Sequence, residues 1–222
     1  MSIPEPVKTV GYSHIYHVDK ALVYRAGMQI DADGSPNAYH MIPGKGLDHL
    51  ANAGKPGNWW GLACNDGGKP FVQLKDDPSP GFFVSTTALQ NPRKKDKNPD
   101  RYVNSEVQPF IVLPSRLGLG VRLGDICFCY NRATGDNNYG IYADIGPRGQ
   151  IGEGSIAMAD TLKVPSNPRD GGCVSGIVYW LMPGSSKGFL SQDDWFGFAH
   201  ETFKKWGGLT RLTEFANQCR GL

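Results

Sequence analysis

The chain has 222 residues, 40% of them hydrophobic, and a formal net charge of +2. It is long enough to bury a core without disulfide staples. Its positive charge is too mild to argue for nucleic acid, and no apolar run could cross a membrane, so neither is expected as a partner.

The 29 glycines and 16 prolines favour short strands separated by many turns over a helical bundle. The segment Met1–Val10 has no apolar stretch of the kind that makes a secretory signal. Cys64, Cys127, Cys129, Cys173 and Cys219 are odd in number and sparsely spaced, which does not read as a disulfide framework. Cys127 and Cys129 alternate onto one strand face and read as buried free thiols. A lone Cys-x-Cys does not complete a tetrahedral metal site, so no metal and no cofactor is expected.

Residues 1–20 read as a peripheral arm, with an edge strand over Tyr12–Val18. Lys20–Ile30 reads as a strand running into Asp31-Ala-Asp33-Gly34, an Asp-Gly turn. Gln29, Asp31, Asp33 and Gly34 also match the first half of a calcium loop. Gln29 stands where that loop needs Asp, and His40 where it needs Glu, which argues against calcium. Leu47–Gly54 reads as a short helix ended by Gly54. At Trp59-Trp60, adjacent strand residues point to opposite faces, which makes one indole core and the other exposed, a flat platform for a sugar. Core packing of both is the alternative.

Pro70–Leu74 and Gly81–Leu89 read as strands, and residues 93–101 as a basic surface loop that could meet an anionic glycan. Pro109–Leu113 is a short strand. Arg122–Tyr130 and Asn138–Ala143 form a hairpin whose second strand delivers Asp144. Ser155 caps a helix over 156–163, and Ser175–Met182 is a strand buried on both faces. Beyond Ser191, which forms a capping box with Asp194, the spacing predicts a helix carrying Trp195, Ala199, Phe203 and Trp206. After Gly207-Gly208, a second helix follows.

The stretch from Tyr142 to Ser155 organises the rest. It places Asp144 at a strand end and Glu153 before a helix, with four glycines and a proline around them. Two carboxyls presented to one cleft are what glycosidic hydrolysis needs. The run Asp144-x-Gly146-Pro147-x-x-x-Ile151-Gly152-Glu153-x-Ser155 resembles the core motif of the glycoside hydrolase family 75 chitosanases. Two more tracts, Met28–Gly34 and Gly171–Tyr179, resemble that family in the same order along the chain. The resemblance covers roughly residues 20–184. It implies an inverting endo-hydrolase of β-1,4-linked amino sugars, with Asp144 and Glu153 catalytic and Asp31 and Asp33 lining the substrate cleft. Ser155, Trp59 and Trp60 complete the substrate-binding candidates. A fainter similarity of 143–152 to lytic transglycosylases built on a double-psi β-barrel also points to amino-sugar glycan.

The expected fold is mainly β. It is a compact, Gly-rich barrel, double-psi by analogy, over residues 1–184 with the N-terminal arm. A C-terminal helical pair, residues 185–222, packs on it. Chitosan is the implied substrate and peptidoglycan the rival. Other readings are a lytic transglycosylase and a non-catalytic glycan-binding module. Such an enzyme works in an extracellular or periplasmic space. With no signal visible, either a leader was trimmed or export uses a route without a cleavable peptide. An antibacterial effector with a cognate immunity protein would fit the second case. Partial burial of Asp144 is expected to raise its pKa and make it the acid. The helix N-terminus beside Glu153 is expected to lower its pKa and make it the base.

Overall fold

The structure is a computed structural model and describes residues 4–189 and 192–219. In chain order its strands are β1 (Lys8–Val10), β2 (Ser13–Val18), β3 (Ala21–Asp31), β4 (Gly54–Lys55), β5 (Asn58–Trp59), β6 (Phe110–Pro114), β7 (Ile126–Asn131), β8 (Asn137–Gly146), β9 (Glu153–Ser155) and β10 (Cys173–Leu181). The helices are α1 (Ile156–Thr161), α2 (Gln192–Trp206) and α3 (Gly208–Gln218). Ser191 lies outside the described residues, so the capping box expected there is not part of this description.

Six strands close into a barrel in the order β3, β10, β7, β8, β6, β9 and back to β3. Two neighbouring pairs, β3–β9 and β6–β8, run parallel, and the other four run antiparallel. The mainly β, barrel-based expectation holds, as does the C-terminal helical pair. Side-chain alternation sorts each strand into an inner and an outer set. Leu22, Tyr24, Ala26, Met28 and Ile30 of β3 join Ile111, Leu113, Cys127, Cys129, Tyr142, Ile177, Tyr179 and Leu181 in the interior. There Tyr24 and Tyr179 stack at 4.7 Å. Cys127 and Cys129 are buried and free, as alternation required.

The opposite set, Val23, Phe110, Val112, Ile126, Phe128, Ile141, Val178 and Trp180, faces outward under Trp195, Phe203, Trp206 and Leu212 of the C-terminal helices. Phe203 stacks on Phe128 at 4.1 Å, and the Trp206 indole N–H donates to the Val18 carbonyl at 3.2 Å. This second cover explains why β10 reads as an unbroken apolar run: Ile177–Leu181 is buried on both faces.

The β2 segment is not an edge strand. It lies between β1 and β3, and β1 forms the edge. The long excursion between β3 and β6 has less regular structure than the spacing predicts. Leu47–Gly54 yields only a 3-10 turn, Leu50–Ala53. Pro70–Leu74 and Gly81–Leu89 make single bridges, such as Val72 to Phe83, instead of ladders. The intervening Asp76-Asp-Pro-Ser-Pro80-Gly removes donors and forces turns at short intervals, so no continuous register is established. Ala32, Ala38, Tyr39, Ala53, Leu62 and Phe83 give this excursion a small core of its own.

Candidate active site

Three strands, β3, β9 and β8, carry Asp31, Glu153 and Asp144, and β6 lies between β9 and β8. In the parallel pair β3–β9, Gln29 is opposite Glu153 and Asp31 opposite Ser155. On β6, Val112 is opposite both Glu153 of β9 and Asp144 of β8. Alternation alone would turn Asp144 inward, because Tyr142 faces the interior. The register jumps from Ile111–Tyr142 to Val112–Asp144, leaving Ala143 as an extra residue. That bulge re-aims Asp144 to the outer face, which Glu153 and Asp31 share.

There the wall and the β3–β6 excursion enclose a cleft of about 740 Å³. Asp31, Asp33, Asp48 and Glu153 line it with Tyr39, Asn52 and Trp60, and among the described residues no Lys, Arg or His does. Asp144 is half-buried beside this lining. Carboxylate oxygens of Asp31, Asp33 and Asp144 lie within 4.8 Å of one another. Oxygens on one hard divalent cation are separated by no more than about 5 Å, so these three residues could hold such an ion. The same crowding also favours retained protons.

Individual environments differentiate the carboxyls. Asp144 Oδ1 accepts the backbone N–H groups of Ala88 and Ile145, both at 2.8 Å. Burial pushes Asp144 up to about 6, and those two donors restrain the rise. Glu153 has no hydrogen bond to its carboxyl among the described residues. Burial, then the negative charges of Asp144 and Asp48, push it up to about 7. The expected lowering of Glu153 by the helix N-terminus is therefore overturned. Helix α1 is a single short stretch, and burial beside two carboxylates outweighs its dipole.

Asp31 and Asp33 are also driven well above the usual carboxylate range, chiefly by burial, with charged carboxyl neighbours adding to the rise. Asp33 Oδ1 accepts the Tyr39 hydroxyl at 2.7 Å. Asp31 Oδ1 accepts the Asp33 N–H at 2.7 Å, while its Oδ2 is buried with no hydrogen-bond partner.

The structure thus gathers Asp31, Asp33, Asp144 and Glu153, and sets Trp60 on the cleft wall at 61% exposure. The Trp60 indole N–H donates to the Asn52 carbonyl at 2.8 Å, which fixes the ring. Trp59 turns the other way and packs against the core of the excursion. It does not line the cleft. Ser155 is not in the cleft either. It is fully buried, and its hydroxyl accepts N–H groups from Met158 at 3.1 Å and Phe110 at 3.0 Å, tying α1 to β6. The basic loop 93–101 stays away from the cleft and folds on itself through the Arg101–Asp96 and Lys94–Asp100 pairs.

Sequence reasoning missed Asp48, whose two oxygens are held by the Asn52 side-chain amide at 2.9 Å. The acid–amide spacing of four was a signal, but no motif marked it. Tyr39 was missed as well. Among known proteins, no family model matches the chain, and a search of curated proteins finds no match.

Proposed function

We propose that the protein is an endo-acting glycoside hydrolase that cleaves a β-1,4-linked amino-sugar polymer with inversion. The observation that carries this reading is the convergence of Glu153 and Asp144 on one acidic cleft, at the positions of the family 75 motif. Glu153, the more readily protonated of the two, gives its proton to the glycosidic oxygen as the C1–O bond breaks. Asp144, kept more acidic by two backbone donors, takes the proton of the water that attacks C1 from the opposite side. The products are a free reducing end and a free 4-hydroxyl. This exchanges the roles expected from sequence.

The family 75 resemblance implies inversion, and the wall leaves room for it. With β6 between them, the Asp144 and Glu153 backbones stand about 9–10 Å apart, two strand spacings, in a frame that suits the carboxyl separation of about 6.5–9.5 Å used by inverting enzymes. A cleft lined by acids and no bases suits a sugar that carries an ammonium group. Trp60 offers that sugar an apolar face. The test is a reducing-end assay on glucosamine oligomers with proton NMR of the first-formed anomer. Release of the α-anomer from the β-linked chain supports the reading. Retention of configuration, or no cleavage of any amino-sugar polymer, overturns it.

A further inference from the structure

The outer face of β3 changes charge along its length. Alternation places Arg25, Gly27, Gln29 and Asp31 on that face, since the even-numbered residues between them fill the interior. Asp31 opens into the acidic cleft, and Arg25 into a second cleft of about 490 Å³. Gln29 and Gln150 line both, so the two clefts meet.

The second cleft has a topological cause. β2 pairs with Ala21–Tyr24, and β9 takes over only at Gln29. Between them, Arg25–Met28 have no strand on that edge. The other edge is irregular too. The register shift between Cys173 and Ile177 of β10 throws Val174 out to 99% exposure. Gly27 lies under this bulge, where a Cβ would come within 2.3 Å of the Cys173 carbonyl oxygen. Tyr12, also fully exposed, forms the facing rim.

The two halves of the joint groove have opposite charge. The first is lined by four carboxyls and no base. Among the described residues the second is lined by Arg25 and His14 and no acid, and the hollow beside it carries Lys8, Arg116 and Arg148, again with no acid. No carboxylate pairs with Arg25 among the described residues. A chain of glucosamine bears an ammonium group on every sugar, so it would be attracted by one half and repelled by the other.

We propose that the second cleft is a distal subsite for a carboxylate substituent on the glycan, with Arg25 as its ion partner and the Tyr12 ring as an apolar rest. The strand this groove fits is an amino-sugar polymer of mixed charge, with free ammonium groups on some sugars and carboxylates on others, as in a partly de-N-acetylated peptidoglycan strand, instead of a glucosamine homopolymer. The proposal rests on the glycan-hydrolase reading of the acidic cleft.

The experiment compares three substrates: partly de-N-acetylated, uncross-linked peptidoglycan strands with free carboxylates, the same strands with carboxylates amidated, and glucosamine oligomers. kcat and KM are measured for wild type and Arg25→Gln, with melting curves to confirm folding. For wild type, amidation should raise KM about tenfold or more, the worth of a hydrogen bond to a charged group. Arg25→Gln should raise KM on the carboxylate strand by the same factor with kcat little changed. On the amidated strand it should do nothing, and Arg25→Lys should restore part of the loss. An equal effect of Arg25→Gln on both strands, or none on either, overturns the subsite. So does cleavage of glucosamine oligomers alone, and in each of these cases the hydrolase reading stands. Cleavage of none of the three removes the hydrolase reading and the subsite together.

Discussion

Asp144 and Glu153 are register partners of the same residue, Val112, one from each side of β6. The relationship sets the spacing of their backbones by sheet geometry instead of by the loop that joins them. Each then has a separable role. Asp144→Asn and Glu153→Gln should each lower kcat by about two to four powers of ten with unchanged melting curves. With an activated leaving group, Glu153→Gln should regain activity, because little protonation is needed. With azide, Asp144→Asn should recover through a replacement nucleophile. The opposite pattern would exchange acid and base.

The pH profile follows from the same two groups. Asp144 must be ionised and Glu153 protonated, so kcat/KM should rise through about 6 and fall through about 7. Asp48 contributes negative charge that raises Glu153. Asp48→Asn should therefore move the alkaline limb to lower pH and leave the acid limb in place. A profile flat from pH 5 to pH 9 would contradict the pairing.

Stability should also depend on pH in a defined direction. Asp31, Asp33, Asp144 and Glu153 all have raised folded-state pKa values. Between the unfolded range, about 4, and the folded values, the native state holds more protons than the unfolded state, so stability falls as pH rises. For Asp144 and Glu153 the favourable contribution is complete below about pH 4 and is lost on passing through pH 6–7. Asp31→Asn cannot ionise. Its melting temperature relative to wild type should climb as pH is raised from about 4 through the raised folded value of Asp31. A difference that stays constant would show that the Asp31 charge has no bearing on stability.

Much of this was legible in the sequence because it is local. Alternation in 21–31 and 173–181, the apolar stripe of 192–206 and the break at Gly207-Gly208 each report a period that short-range sterics enforce. The acidic pair and Asp31 and Asp33 were visible as types at spacings. Three features were not. The bulge at Ala143 depends on which strand β8 meets, and that partner is β6, far from it in the chain. Asp48 reaches the cleft only through an excursion held by single bridges and side-chain bonds, which have no period. The lowering expected for Glu153 failed because the helix end is a local feature, whereas Asp144 and Asp48 arrive from elsewhere.

The two tryptophans offer a contrast between neighbours. Trp60 is exposed in the cleft, and Trp59 packs under the excursion. Trp60→Ala should raise KM several-fold, through loss of the apolar indole face against the sugar, and leave the melting temperature unchanged. Trp59→Ala should lower the melting temperature through lost packing. If Trp60→Ala leaves KM unchanged, the platform role is wrong.

The turn after Asp33 is the most constrained point in the site. Gly34 has φ of +77°, and a Cβ there would lie 2.0 Å from the Val103 carbonyl oxygen. Its own N–H donates to the Ser85 hydroxyl at 3.0 Å, and that hydroxyl donates to Asp33 Oδ1 at 3.3 Å. Gly34→Ala therefore costs about 1–2 kcal/mol for the left-handed backbone alone, with the overlap added to it. The contact is with backbone, so no side chain can rotate away to relieve it. The chain must shift, and the shift carries Asp33 away from Tyr39 and Asp144. We expect a lowered melting temperature together with a fall in kcat. Leu212→Ala is the control, because it opens a cavity under the C-terminal helices without touching this turn. It should lower the melting temperature and leave kcat at a permissive temperature unchanged. Equal loss of kcat in both variants would mean that Gly34 acts through global stability and does not hold Asp33 in place.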